Sequence, residues 1–186
     1  GTQWHYTPAT KGIPLVADMS SDIFSRPFDC TNYGLIYAGA QKNLGPAGVT
    51  LVIIHQDFLE KIPETLPNML RYDIHAKNNS LYNTPSSFPL YMVNKVLKWI
   101  KEEGGLKAME ERNRKKAAYV YEALDKNASF YKGHAEKDSR SLMNITFRLP
   151  NEKLEKLFVE EAEKRGLVGL KGHRSVGGIR ASIYNA

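Results

Sequence analysis

The chain has 186 residues, 42% of them hydrophobic, and a formal net charge of +6. That is enough apolar material for one domain or parts of two. No run approaches the roughly 20 apolar residues of a membrane-spanning helix, the start "GTQWHYTPATKG" lacks the basic and apolar segments of a signal peptide, and the basic surplus is too dispersed to argue for nucleic acid.

Three short apolar runs, "IPLVADM", "GLIYAG" and "GVTLVIIH", fall between residues 13 and 55 and have the length and β-branched content of neighbouring strands in one buried sheet. The single cysteine, Cys30, cannot form an internal disulfide and is expected to be an ordinary packed residue in a reducing compartment, the cytoplasm. From Ser86 onward helices dominate. "SSFPLYMVNKVLKWIKEEGG" places Val93, Val96, Leu97 and Ile100 on one face, with serines as N-cap and Gly104 as stop. A second helix is expected from about Leu106 to Asn127, and its charged run "ERNRKK" should form the solvated side opposite Ala117, Val120, Tyr121 and Leu124. "MNITFRL" alternates Met143, Ile145, Phe147 and Leu149 inward, the pattern of a half-buried strand. An amphipathic helix, "NEKLEKLFVEEAEKRG", follows, and "LVGLK" and "GIRASIY" read as two last short strands. The class is therefore α/β, with the last 85 or so residues as a small α/β unit of their own.

Asp18 stands where the first apolar run gives out, and Lys42 lies in the polar connection between the second and third. Residues beyond the carboxyl ends of strands in an open α/β sheet are where ligands bind. A carboxylate and a lysine arriving at one cleft suit pyridoxal phosphate, which attaches to a lysine amine and needs an acid to keep its pyridine nitrogen protonated. A structural Asp18–Lys42 ion pair fits the spacing equally well. The remaining histidines show no metal-ligand spacing.

Four segments in order, "ADMSSD", "YAGAQKNLGPAGVTLVI", "SLYNTPSSF" and "LKGHRSVGGIRASIYNA", closely resemble the phosphoserine aminotransferase family, fold-type I enzymes dependent on pyridoxal phosphate. The resemblance implies that Lys42 carries the cofactor, Asp18 partners its pyridine nitrogen, and Gln41 reaches its phosphate. Asn83 and Thr84 of "YNTP" would reach the cofactor phosphate of the neighbouring subunit in a homodimer, or else cap the following helix. Arg180 would grip the substrate α-carboxylate and His173 and Arg174 its phosphate. Glycines 172, 177 and 178 would let backbone amides approach an anion. The implied reaction transfers an amino group between L-glutamate and 3-phosphohydroxypyruvate, giving O-phospho-L-serine and 2-oxoglutarate in serine biosynthesis. A related phosphorylated hydroxy-oxobutanoate is a second candidate substrate.

The resemblance also implies that residues 1–100 are the C-terminal part of the large cofactor domain and residues 101–186 an incomplete small C-terminal domain. The family's phosphate loop and ring-stacking aromatic would then lie upstream of Gly1, with Trp4 and Trp99 as packing residues. Alone, the 186 residues are expected to be inactive. A non-catalytic folding or dimerisation module is one rival reading and another fold-type I aminotransferase a second; a cysteine desulfurase is disfavoured because Cys30 precedes the lysine.

Overall fold

The computed structural model describes residues 1–185 and divides into two compact units. The first is Pro8–Gly105; the second joins Gly1–Thr7 to the chain from Leu106 onward. Among the described residues no helix is long and apolar enough to cross a membrane.

In the first unit β1 (Val16–Asp18), β2 (Leu35–Gly39) and β3 (Thr50–Ile54) form a sheet in that order. β1 runs parallel to β2, pairing Asp18 with Tyr37, and β2 runs antiparallel to β3. The expectation of one buried sheet holds for β2, whose Leu35, Ile36 and Ala38 are buried. β1 and β3 are edges: Val16 is 50% exposed and β3 is half-buried. Ile23, Ile36, Ala38, Ala40 and Leu44 make the core, joined by Val93. Two short helices that the sequence pattern did not reveal, α1 (Gln56–Leu59) and α2 (Tyr72–Lys77), precede α3 (Ser87–Glu102). Ser86 caps α3 by position, without a side-chain hydrogen bond, and Gly104 takes φ +98° beyond its end. Along α3, Ile100 is buried and Val93 and Val96 half-buried, whereas Leu97 lies on the margin of the stripe and is 41% exposed.

The second unit is a four-stranded antiparallel sheet with α4 (Gly105–Lys126) and α5 (Glu152–Lys164). Its strands are β4 (Lys132–Gly133), β5 (Asn144–Arg148), β6 (Lys171–His173) and β7 (Gly177–Ser182), in the spatial order β4-β5-β7-β6. The alternation of β5 is realised: Met143, Ile145, Phe147 and Leu149 are all buried. Phe147 meets Tyr131 and Phe158 edge-on, at centroid separations of 5.6 and 5.9 Å. Residues 1–7 attach through Gln3, whose amide donates to the Ser139 carbonyl and whose side-chain oxygen accepts from the Leu142 amide.

Two expectations need correction here. "LVGLK" is not a strand: the Leu167 amide closes α5 by donating to the Ala162 carbonyl, and Gly169 at φ +75° interrupts extended backbone, so β6 starts only at Lys171. The charged run on α4 is not wholly solvated either. Asn113 is fully buried and donates to Asn185 Oδ1 at 2.8 Å, and Lys116 donates to the Tyr184 carbonyl. Burial, followed by the nearby Arg112 charge, pushes the Lys116 amine below its ordinary pKa.

Candidate active site

Because β1 and β2 are parallel, their carboxyl ends lie at one end of the sheet. Asp18 closes β1 there, and the turn that leaves β2 after Gly39 carries Gln41 and Lys42 to the same end. The two serines after Asp18 stitch these segments together. Ser20 Oγ accepts from the Gly39 amide at 3.0 Å, and the Lys42 amine donates to Ser21 Oγ at 3.0 Å. Behind them Asn43, buried, donates to the Ile23 carbonyl at 3.0 Å and to the Ser21 carbonyl at 3.4 Å. The Ala40 amide donates to the Val49 carbonyl, and Leu44 and Gly45 fold back onto the Ala40 carbonyl, so the turn is held by its own backbone. A Cβ at Gly45, which has φ +152°, would lie 3.5 Å from the Val93 side chain of α3.

The structural ion pair allowed by the spacing is not what forms. Asp18 Oδ1 instead accepts the Ser20 amide at 2.9 Å. The Asp18 carboxyl is held below its usual pKa chiefly by hydrogen bonding from the Ser20 side chain, opposed by partial desolvation and helped by the Ser20 amide, the Lys42 charge and Tyr37. It is therefore an anion at neutral pH, the state a protonated pyridine nitrogen requires. Lys42 and Gln41 are exposed, and Gln41 folds over Gly39 so closely that a Cβ there would strike its Oε1. A carboxylate held ionised and an accessible amine at one strand end fit pyridoxal phosphate. Ser20, Ser21 and Asn43 were missed by the reading of the sequence, although a polar "SSD" directly after a strand's last carboxylate is a signal for them.

Asn83 and Thr84 lie in an exposed loop, where the Asn83 amide group donates to the Thr84 carbonyl at 3.2 Å. Neither caps α3; that position belongs to Ser86. Cys30, expected to be packed, is exposed on a short 3-10 turn whose N-cap Asp29 accepts from the Thr31 amide. Trp4, also expected to pack, is 63% exposed beside Tyr6.

In the second unit, β6 and β7 form a hairpin carrying His173, Arg174 and Arg180, all exposed. His173 Nδ1 lies 2.8 Å from Ser175 Oγ and 3.3 Å from the Ser175 amide, so the turn engages that nitrogen and leaves Nε2 without a partner among the described residues. Arg71, Arg114, Arg140 and Arg148 are each committed to a carboxylate, whereas Arg174 and Arg180 meet none among the described residues. The glycines serve the hairpin itself. A Cβ on Gly172 would collide with the Gly177 carbonyl oxygen; Gly177 and Gly178 both take φ +74° under the Arg148 side chain; and the Gly178 amide donates to Glu155 Oε2 at 3.2 Å.

A polar turn of lysine, glutamine and serine beside an ionised strand-end carboxylate is a residue set that suits the chemistry of pyridoxal phosphate. The sequence matches the model of the aminotransferase class-V family over residues 5–186, and the chain belongs to that family. It is 65% identical over its whole length to a phosphoserine aminotransferase of Geobacillus kaustophilus, of which it covers 51%. Among solved structures, the phosphoserine aminotransferase of Bacillus circulans subsp. alkalophilus superposes with TM-score 0.95 at 62% identity, and the pyridoxal phosphate-bound enzyme of Trichomonas vaginalis with TM-score 0.93 at 42% identity. These matches cover all of this chain and 51% and 53% of the respective structures, so the chain spans about half the length of the relatives it matches.

Proposed function

We propose that the chain is the lysine-bearing half of a pyridoxal phosphate-dependent phosphoserine aminotransferase, moving an amino group between L-glutamate and 3-phosphohydroxypyruvate. The observation that carries this reading is the joint delivery of an ionised Asp18 and an accessible Lys42 to one sheet end, in a chain so close to enzymes of that name. The cofactor would supply an electron sink for the bond at the substrate Cα. Lys42 would carry it and, once displaced by the substrate amine, move the proton at the substrate Cα. Asp18 would hold a proton on the pyridine nitrogen, and Gln41 would donate to the cofactor phosphate.

In the second unit, Arg180 would pair with the α-carboxylate through its two-pronged guanidinium, and Arg174 and His173 Nε2 would face the substrate phosphate. The exposed Asn83 and Thr84 support a homodimer in which they reach the cofactor phosphate of the partner subunit. Residues 1–100 would then belong to the large cofactor domain and 101–186 to the small one, except that Gly1–Thr7 cluster with the second unit and the first unit runs on to Gly105. We place the enzyme in the cytoplasm, in keeping with a free, exposed Cys30.

The test is to load a chain of full family length carrying these 186 residues with pyridoxal phosphate, reduce it with borohydride, and map the labelled peptide. The label is expected on Lys42 in "GAQKN", and Lys42→Ala should abolish both label and turnover. Label on Lys95 or Lys171 instead would refute the assignment.

A further inference from the structure

One buried charged side chain has no place in the site just described. Glu155, in the first turn of α5, is 7% exposed, yet it sits in a helix whose other glutamates face solvent. Its carboxylate pairs with Arg148 Nε at 2.7 Å and also accepts the Gly178 amide at 3.2 Å and the Leu149 amide at 3.3 Å. Arg148 extends the chain of contacts: its Nη1 donates to the Val176 carbonyl at 2.6 Å, and its side chain lies over Gly177 and Gly178. Val176 and Gly177 close the short turn that carries Arg174, with His173 paired to Gly177 across it.

A buried carboxylate is costly unless it is paired and hydrogen-bonded, and the second oxygen of this one, Oε2, has its Gly178 donor only when the hairpin occupies its present position. The turn has no core of its own: Arg174, Ser175 and Val176 are exposed. Its placement therefore depends on two anchors, Glu155 on the Gly178 amide and Arg148 on the Val176 carbonyl. A β-hairpin tip left to two-residue contacts alone would sample many positions, and catalytic contacts are sensitive to misplacement of about 1 Å.

We propose that Glu155 and Arg148 form a positioning pair that fixes the β6–β7 turn, so that His173 and Arg174 meet the second anion of the substrate, its phosphate. This rests on the reading given under Proposed function. Neither residue touches substrate; both act through the hairpin.

The experiment compares Glu155→Gln and Arg148→Lys with the parent in a cofactor-loaded chain of full family length carrying these residues. Glu155→Gln keeps the shape and removes the charge; Arg148→Lys keeps the charge and removes the fork that serves Glu155 and Val176 at once. Glu161→Gln, which breaks only an exposed pair with Lys164 on the same helix, is the control. Single-turnover kcat/KM is measured with O-phospho-L-serine and with L-alanine, which has an α-carboxylate but no second anion. We expect a fall of about tenfold or more for O-phospho-L-serine in both variants, mainly through KM, with L-alanine changed by less than about twofold. Glu161→Gln should move neither. An equal fall for both substrates would reduce the pair to ordinary scaffold and overturn the proposal, as would unchanged kinetics in both variants. If the parent itself fails to accept O-phospho-L-serine, the proposed function falls instead. Amide exchange then decides the positioning claim, since unchanged protection of the Gly178 amide in both variants would refute it.

Discussion

Asn43 offers the sharpest test of how the site is built, because it ties the lysine turn to the segment after Asp18 without belonging to the chemistry. Replacing it by Ala removes a 3.0 Å donor to the Ile23 carbonyl and a weaker one, at 3.4 Å, to the Ser21 carbonyl. The first bond contributes about 1 kcal/mol and the second a fraction of that, since strength falls steeply with length. Where removal leaves a buried carbonyl without a donor, the cost of losing the bond rises from that net value to about 1–3 kcal/mol in all. Together they predict a loss of about 2 kcal/mol for Asn43→Ala, or about a molar shift in urea midpoint. Asn43→Asp, of equal size, would turn a donor into an acceptor aimed at two carbonyls and should lose more, about 3 kcal/mol or above at neutral pH. Trp99 lies in the same unit and Trp4 in the other, so fluorescence in a Trp4→Phe background follows the relevant transition. An Asn43→Ala chain within about 0.5 kcal/mol of the parent would refute the reasoning, as would an Asp variant more stable than the Ala one.

Burial pushes the Tyr121 hydroxyl up to about 12, against the opposing charge of Arg140. A raised value means the folded state keeps its proton longer, so this contribution to stability is complete below the unfolded pKa of about 10 and is lost as the pH climbs through about 12. Ultraviolet titration should show one late-ionising tyrosine among the ten, absent in Tyr121→Phe. At the centre of the second unit, Phe147→Leu removes two edge-on ring contacts worth about 0.5–1.5 kcal/mol each, and Phe147→Ala adds a cavity for a total of about 3–5 kcal/mol. Urea titration checks the order, and equal losses in the two variants would contradict the ring-contact argument.

β5 was legible in the sequence because one of its faces is buried and the other is not, so the alternation is visible in four consecutive inward residues. Asp18 and Lys42 were legible by a different route, as polar residues at the ends of apolar runs. What bound them together was not. Ser20, Ser21 and Asn43 act across a sequence separation of about 20 residues, and only the parallel register of β1 on β2 brings them into reach. The short helices α1 and α2 span too few residues to establish a period. Glu155 carried a signal that could have been read: it occupies the stripe it shares with Phe158, Val159 and Ala162 at helical spacing, where an apolar residue is expected. Its partner, Arg148, is hidden in "MNITFRL" as one more outward polar residue of a strand.

The Gly-rich basic turn shows why residue type alone misassigns roles. Glycines near an anion site suggest backbone amides converging on the ligand, yet the Gly178 amide is already taken by Glu155, and the absence of a Cβ at Gly172 is needed for the close approach of the Gly177 carbonyl. Two amides of this hairpin, those of Ser175 and Val176, are likewise committed, to the His173 ring and to the His173 carbonyl. On the proposed function, recognition of an anion here falls chiefly to side chains: the His173 ring and the guanidinium groups of Arg174 and Arg180. Side-chain recognition can be displaced by a small movement of the backbone that carries it, whereas a nest of amides is the backbone. This is why the carboxylate on α5 matters to a turn it does not belong to, and why its loss should be felt in the affinity for the second anion before it is felt in the chemistry at the lysine.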